Sequence, residues 1–224
     1  MENDPTPDYL FLAPDIREDE DGAVRWPYIR RDDSQDLDWW SEEPLSPGKP
    51  VDFSADPAYP HDEDIFRAMR VAVVGGFPLL RPGLEGVLRP FAPPSAQLIP
   101  SYVKTGRSRY DWDEDWLLLH LWEMRDVVDR ARSSPTMVEG EAFGTWDSIR
   151  LDPDAMGRLG PEERSIVRLA SDEEDFLIFH RSMVERLLDF GLAGALFVPL
   201  QFYAPAMSFI REHRREIDQI NGPV

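Results

Sequence analysis

The sequence predicts a single-domain α+β fold, in which a mixed or mainly antiparallel sheet is accompanied by a few helices. The first observation is the length of 224 residues, which is typical of one domain. The second is that most apolar residues stand in short runs between turns rich in proline, glycine and acids, as strands do. The third is that helical spacing of apolar residues is clearest in two segments near the end of the chain.

Charge divides the chain into three regions. Residues 1–64 contain 19 acidic and 5 basic side chains, and they are interpreted as an acidic N-terminal region with short strands. This region is expected to pack on the main α+β domain, residues 65–203. Residues 204–224 then contain a C-terminal amphipathic helix, predicted from Met207 to Ile220.

In the first third of the chain, short strands are predicted between acidic loops. The run Tyr9–Leu12 is apolar and short enough for a strand. Arg25–Arg30 is predicted as an edge strand, because Pro27 has no N–H to donate to a ladder. Ile65–Arg70 is predicted as a short helix, since acids precede it and arginines lie within it toward its end.

Most of the remaining elements are predicted to be strands. The run Asp115–Met124 is almost continuously apolar, so a central strand with both faces covered is expected. Gly75-Gly76 lacks the third glycine of a nucleotide-binding turn and is interpreted as a turn between a helix and a strand. Ala131–Gly144 is predicted as a loop or hairpin, and Asp154–Gly160 as a short helix or turn. The other predicted strands are Phe77–Arg81, Gly86–Phe91, Gln97–Val103, Trp146–Leu151, Ser165–Leu169, Phe176–Phe179 and Leu196–Leu200.

One further helix is predicted in detail, from Ser182 to Phe190. Ser182 is expected to cap its N-terminus, with Glu185 three residues later completing a capping box. The helical spacing directs Leu187 and Leu188 toward the core. Gly191 is expected to end the helix, because glycine adopts the left-handed conformation of a C-cap without strain.

Composition excludes several classes of partner and chemistry. A net charge of −19 argues against binding to nucleic acid or to an anionic membrane, since both need clustered cations. The chain has no cysteine, which excludes disulfides and cysteine-ligated metals.

No secretory signal is recognised at the N-terminus, and Pro199 and Pro205 interrupt the uncharged stretch Phe190–Ile210. A cytoplasmic protein without a membrane span is therefore expected.

The sequence contains no recognisable motif for catalysis or cofactor binding. The four histidines have none of the spacings of a zinc site, and the patterns of serine nucleophiles and phosphate loops are absent. Asp19–Asp21 lacks the ligand spacing of a calcium-binding loop. We therefore expect no metal, no cofactor and no enzymatic activity.

The candidate binding residues are three acidic clusters next to turns, together with two tryptophans. Acids in such places are exposed without disturbing the packing, and a negative field speeds the encounter with a basic partner. The tryptophans, which are flanked by acids, are candidate anchors, although aromatic residues fill cores as readily as interfaces. The candidate set is Glu18, Asp19, Glu20, Asp21, Asp111, Trp112, Asp113, Glu114, Asp115, Trp116, Asp172, Glu173, Glu174 and Asp175.

A family resemblance rests mainly on the C-terminal segment of the chain. The predicted strand Phe176–Phe179 is followed by the helical sequence SMVERLLDFGLAG and by the strand Ala195–Leu200, which contains an F-x-P pattern. Together with the strand Tyr9–Leu12 and the tract Glu43–Gly48, this order resembles the immunity proteins of bacterial polymorphic-toxin systems, especially a myxobacterial immunity domain. The resemblance implies a small cytoplasmic α+β protein that binds and blocks a cognate toxin. It implies no catalytic residues, and Ala204–Val224 looks like an addition to the family pattern.

Three functions are therefore open at this point. The first is an immunity protein that neutralises a basic cognate toxin by occlusion. The second is a carboxylate-type hydrolase acting on a glycan, which needs a cleft with two carboxyl groups about 5–10 Å apart, at least one of them with a raised pKa. The third is an acidic mimic of nucleic acid that inhibits a nucleic-acid-binding protein, which needs regularly spaced acids on an elongated surface.

Overall fold

The computed structural model describes residues 4–15, 29–31, 41–46, 50–55, 66, 68–104, 113–136, 145–170, 176–203 and 212–222. Within them, the strands form a six-stranded sheet, a five-stranded sheet and a two-stranded ribbon. Each of the two larger sheets contains one parallel pair among antiparallel neighbours, so both are mixed and mainly antiparallel. The predicted α+β single-domain class is therefore confirmed.

The described residues contain thirteen strands, four α-helices and two short 3₁₀ helices, Thr6–Asp8 and Leu200–Phe202. The strands are β1 (Tyr9–Pro14), β2 (Ile29–Arg31), β3 (Val51–Ala55), β4 (Val71–Val74), β5 (Phe77–Leu80), β6 (Ala96–Lys104), β7 (Asp113–Leu121), β8 (Met124–Arg125), β9 (Ser134–Thr136), β10 (Thr145–Ser148), β11 (Ile166–Leu169), β12 (Leu177–His180) and β13 (Ala195–Pro199). The helices are α1 (Glu85–Leu88), α2 (Pro153–Arg158), α3 (Arg181–Asp189) and α4 (Arg214–Asn221).

The six-stranded sheet has the order β2-β3-β6-β7-β5-β4. Its strand β7 covers most of the run Asp115–Met124 and pairs with β6 over nine residues and with β5 on its other side. The neighbouring residues Leu118 and Leu119 are both buried, so the predicted central strand with two covered faces is confirmed. The strand ends at Leu121, and Met124 begins β8 in the five-stranded sheet.

The edge of the six-stranded sheet contains a strand that the sequence analysis did not predict. Val71–Val74 forms β4, which pairs with β5 through the turn Gly75-Gly76. Both glycines have positive φ, of 54° and 82°, which is the requirement of the two-residue turn that matches the twist of a hairpin. Gly75-Gly76 therefore connects two strands, and its interpretation as a turn after a helix was wrong.

The segment predicted as the strand Gly86–Phe91 is partly helical instead. Helix α1 spans Glu85–Leu88, and the buried side chains of Leu84 and Leu88 lie four residues apart, on one face. The carboxylate of Glu85 accepts a hydrogen bond from the backbone N–H of Gly83, which stabilises the turn that begins the helix. A single helical turn contains too few apolar residues to display a periodicity.

The five-stranded sheet has the order β13-β1-β12-β11-β8, and its main strands are covered on both faces. On one face, Leu10 and Phe197 belong to the apolar core shared with the six-stranded sheet. On the other face, Phe11 and Val198 belong to a second core that contains Trp146, on β10, and residues of α2 and α4. Burial of both faces explains why these strands are continuous apolar runs in the sequence.

Helix α3 begins one residue earlier than predicted, at Arg181. Its N-cap is His180, whose Nδ1 accepts a hydrogen bond from the backbone N–H of Ser182 at 3.3 Å. Ser182 is therefore inside the first turn, and the predicted capping box with Glu185 was wrong. The imidazole Nδ1 of His180 is the acceptor, in place of the Ser182 hydroxyl that the sequence pattern predicts.

The other predictions for α3 are confirmed at the core and at the C-terminus. Leu187 is 3% exposed, whereas Leu188 is only partly buried. Gly191 has a φ of +85°, and its N–H donates to the carbonyl of Leu188 at 2.9 Å. These are the features of a glycine that ends a helix.

Several predicted elements fall partly outside the described residues. Of Arg25–Arg30, the structure describes residues 29 and 30, which belong to β2; of Met207–Ile220, it describes residues from 212 onward, where α4 begins at Arg214. The acidic N-terminal region contributes β1 to the five-stranded sheet, and β2 and β3 to the six-stranded sheet. Among the described residues, no helix combines the length and the apolar character needed to cross a membrane.

Candidate functional site

Most of the predicted acidic clusters lie outside the described residues. This applies to Glu18–Asp21, to Asp111 and Trp112, and to Asp172–Asp175. Asp113 and Glu114 begin strand β7 and pair with Lys104 and Val103 of β6, so they belong to a sheet and not to a loop. Asp115, the next residue, is exposed. Partner binding by these residues stays a prediction.

Trp116 is part of the core and does not reach the surface. Its side chain is 1% exposed, and the guanidinium of Arg81 lies 4.2 Å from the centroid of its ring. The ring of Phe66 packs beside it at a centroid distance of 6.0 Å. Because side chains alternate along β7, Asp115 faces solvent and Trp116 faces inward. Of the two positions that the sequence left open for Trp116, an interface anchor or the core, the structure places it in the core.

A cleft of about 430 Å³ opens where the start of β1 meets helix α2 and the N-terminus of α3. Sequence reasoning missed this cleft, because its walls come from segments about 150 residues apart in the chain. The only signals were single residues in unrelated runs, such as the histidine that ends β12. The polar and aromatic residues that line it are Asp8, Tyr9, Arg164, Ser165, His180 and Ser182.

Tyr9 forms the floor of the cleft. Its hydroxyl donates a hydrogen bond to the carbonyl of Arg164 at 3.0 Å, and its ring meets the ring of His180 edge-on at 5.3 Å. Burial raises the pKa of the Tyr9 phenol to about 12; the nearby carboxylate of Asp8 acts in the same direction, and the Arg164 guanidinium opposes both. At neutral pH this phenol is a hydrogen-bond donor and cannot act as a base.

The other polar groups of the cleft are engaged in local structure. His180 Nδ1 lies 2.9 Å from Ser182 Oγ and also caps helix α3. The Arg164 guanidinium donates to the carbonyl of Leu159 at 2.8 Å and to that of Gly157 at 2.7 Å. These hydrogen bonds fix the walls of the cleft, because each one connects a side chain to the backbone or to a helix terminus.

The cleft does not meet the requirement of a carboxylate-type hydrolase. Among the residues that line it, Asp8 is the one carboxylic acid. Acid–base hydrolysis of a glycan needs a second carboxyl group across the scissile bond. In the described residues of the chain, no group of three or more histidine, aspartate or glutamate residues is placed to hold a metal ion either.

A fully buried arginine connects the two large sheets. Arg168 on β11 has no exposed surface, and one nitrogen of its guanidinium donates to the carbonyls of Leu121 at 2.8 Å and Ser41 at 3.1 Å. Its guanidinium also lies 5.3 Å from the ring centroid of Phe77. Arg168 is thus held by backbone oxygens and an aromatic ring, which suits a structural cation.

The proline-containing tract Glu43–Gly48 is attached to the six-stranded sheet at its described residues. The backbone N–H of Leu45 donates to Gln97 Oε1 at 2.9 Å, and Gln97 Nε2 donates back to the carbonyl of Leu45 at 3.2 Å. This reciprocal pair gives the tract a fixed place beside β6.

In comparisons with known proteins, no protein-family model matches the chain and no curated protein is significantly similar to it.

Proposed function

We propose that the protein is an immunity protein that binds a cognate bacterial toxin and neutralises it by occlusion. The observation that carries the proposal is the strand–helix–strand unit formed by β12, α3 and β13. The sequence resemblance lies in this unit, and its three elements occur in the order that the resemblance implies. The unit pairs with β1, the other strand on which the resemblance rests.

The charge of the chain supports a protein partner that is basic. With a net charge of −19, the protein sets up a negative field that accelerates association with a cationic surface. The same field repels nucleic acids and anionic membranes. Toxin domains that act on nucleic acids carry cationic surfaces for their substrate, and an acidic protein is complementary to them.

The phenol in the cleft beside α3 is unsuited to acid–base catalysis near neutral pH, which is in keeping with a binding function. The imidazole Nδ1 and the guanidinium of the cleft are engaged in hydrogen bonds that hold the fold, and the phenol is neutral at physiological pH. A general base needs an accessible group with a pKa near the working pH, and the Tyr9 phenol, with a pKa of about 12, does not meet this requirement. Occlusion of a partner needs no such group.

A growth-rescue experiment tests the proposal. The proposal predicts that a neighbouring gene encodes a toxin domain, and this domain is induced in a bacterial host, with this protein or with an unrelated acidic protein of similar size. Growth should be restored by this protein alone, and the two chains should co-elute in gel filtration. If both chains are soluble but growth stays arrested and no complex forms, the proposal is wrong.

A further inference from the structure

The last residue of helix α4 is an asparagine that is followed by a glycine. Asn221 ends the helix, and Gly222 continues the chain with a φ of 81°. Asparagine occurs only twice in the sequence, and the other one, Asn3, precedes Asp4. Because glycine has no Cβ, no side chain shields the Gly222 nitrogen from the side-chain amide of Asn221. Asn221-Gly222 is therefore the pair in this chain at which spontaneous deamidation of asparagine meets the least steric hindrance.

The fold opposes this reaction, because it holds the side-chain amide of Asn221 in place. Asn221 Oδ1 accepts from the N–H of Phe197 at 2.8 Å, and Nδ2 donates to the carbonyls of Phe197 and Ile217, each at 2.8 Å. Phe197 belongs to β13, and Ile217 lies one turn earlier in α4. The amide has to turn away from these partners before its carbon can meet the Gly222 nitrogen. The reaction therefore requires that the end of α4 opens locally.

We propose that Asn221 is a site of spontaneous deamidation, that docking of α4 on β13 controls the rate, and that the product no longer holds the helix. The Gly222 nitrogen forms a bond to Asn221 Cγ, the Cγ–Nδ2 bond breaks, and Nδ2 leaves as ammonia with the proton that the Gly222 nitrogen gives up. Water then opens the resulting succinimide ring: its hydroxyl adds to one ring carbonyl carbon, and its proton returns to the nitrogen. The products are aspartate and isoaspartate. This inference is independent of the proposed function.

The product has the wrong hydrogen-bonding groups for its position. An ionised carboxylate donates no hydrogen bond, so the carbonyls of Phe197 and Ile217 lose their donor and face a negative charge. This charge also lies at the C-terminal end of a helix, where the helix dipole disfavours an anion. In isoaspartate the main chain gains a carbon that the side chain loses, which moves the carboxylate away from Phe197. Deamidation therefore makes the opening of α4 permanent and leaves the edge of β13 exposed.

The first test measures the rate by mass spectrometry of the C-terminal peptide during incubation at mildly alkaline pH. In the folded protein Asn221 should deamidate at least about tenfold more slowly than in the same protein unfolded in urea, because local opening limits the reaction. Ile217→Ala removes a buried side chain of α4 and should raise the rate in the folded protein. Ile99→Ala, a buried isoleucine of β6, is the matched control and should leave the rate nearly unchanged. Gly222→Ala should slow the reaction in the unfolded chain, since its methyl group shields the attacking nitrogen.

The second test measures what the product does to the fold. Asn221→Asp reproduces the aspartate product, and hydrogen exchange of the α4 amides should become about tenfold faster or more. Gln219→Asp adds the same charge at an exposed position of the same helix and should leave the exchange nearly unchanged.

Each of these measurements decides for or against the inference. Equal rates in the folded and the urea-unfolded protein, or in Ile217→Ala and Ile99→Ala, would show that docking of α4 does not control the reaction. An Asn221 that stays intact in the unfolded chain, or that reacts there as fast in Gly222→Ala, would exclude the succinimide route. Equal hydrogen exchange in Asn221→Asp and Gln219→Asp would show that the product still holds the helix.

Discussion

Gly194 shows how one residue without a side chain holds the two sheets together. Its φ is +112°, and a Cβ at this position would lie 2.0 Å from the carbonyl oxygen of Val71. The preceding carbonyl, of Ala193, accepts hydrogen bonds from the N–H groups of Arg70 at 2.6 Å and Val71 at 3.0 Å. The loop before β13 is therefore in backbone contact with β4, and no other residue type leaves enough space.

Replacement of Gly194 by alanine should destabilise the protein by about 3 kcal/mol or more, because the Cβ overlaps backbone that cannot move alone. Gly191→Ala is the matched control. Gly191 also has positive φ, but nothing lies within 4 Å of an added Cβ, so about 1 kcal/mol is expected. Urea unfolding measures the decrease in the free energy of unfolding for each variant. Equal decreases for the two variants would contradict the steric argument.

Tyr9 gives the protein a specific sensitivity to alkaline pH. Its pKa is raised from 10.0 to about 12 by burial, so the folded state binds its proton more tightly than the unfolded chain does. The contribution of the protonated phenol to the free energy of unfolding is fully present below pH 10. As the pH rises toward 12 this contribution is lost, and the loss amounts to about 2–3 kcal/mol.

Tyr9→Phe should remove this pH dependence. The variant loses the hydrogen bond to Arg164, at a cost of about 1 kcal/mol at neutral pH. Between pH 10 and 12 its free energy of unfolding should fall less steeply than that of wild type. Denaturant unfolding at a series of pH values measures the difference, and parallel curves for the two proteins would refute the burial of the phenol as its cause.

At the scale of elements, the last turn of α4 closes the open edge of a sheet. β13 is an edge strand, and the side chain of Asn221 takes the place of a neighbouring strand. Its Oδ1 accepts from the N–H of Phe197 at 2.8 Å, and its Nδ2 donates to the carbonyl of Phe197 at 2.8 Å. Because an unpaired edge invites pairing with another chain, this amide both anchors the helix and protects the edge.

Asn221→Ala should cost about 1–3 kcal/mol, since its two hydrogen bonds to Phe197 and a third, from Nδ2 to the carbonyl of Ile217, are lost, and the backbone groups of Phe197 are left unsatisfied. It should also increase concentration-dependent association through the exposed edge. Gln219→Ala removes an exposed amide from the same helix and should change neither property. Thermal melting and light scattering distinguish the two variants; identical behaviour would show that the contact contributes nothing.

At the scale of the whole molecule, charge governs how fast a partner is found, and buried contacts govern how long it stays. Of the three predicted acidic clusters, the one at the start of β7 is partly among the described residues, and its Asp115 is exposed.

Changing Asp113, Glu114 and Asp115 together to Asn, Gln and Asn should slow association with the toxin several-fold at low salt and reduce the salt dependence of the rate. The dissociation rate should change little. Asp126, Glu162 and Glu212 are exposed acids elsewhere, and neutralising them changes the net charge equally. If both triple variants have the same association rate, the cluster on β7 is not the docking face.

The sequence predicts the elements of this fold best where burial is most complete. β1, β12 and β13 have cores on both faces, so their runs are apolar without interruption and easily recognised. β4 and α1 span only four residues each and display no periodicity, and the cap of α3 is an imidazole outside the usual set. Among the candidate site residues, Trp116 shows that acids next to a tryptophan do not indicate exposure when the residues alternate along a strand.

The position of β1 has a consequence for synthesis of the chain. β1 lies between β12 and β13, although these two strands follow it by roughly 160 residues or more. At about 5–20 residues per second, the ribosome needs on the order of 10–30 s to deliver the partners of a strand that is already made. During that interval an apolar segment with two unpaired edges is presented to the cell. Binding of a chaperone to residues 9–14 of the nascent chain would bridge this delay, and a circular permutant that begins at β12 would shorten it.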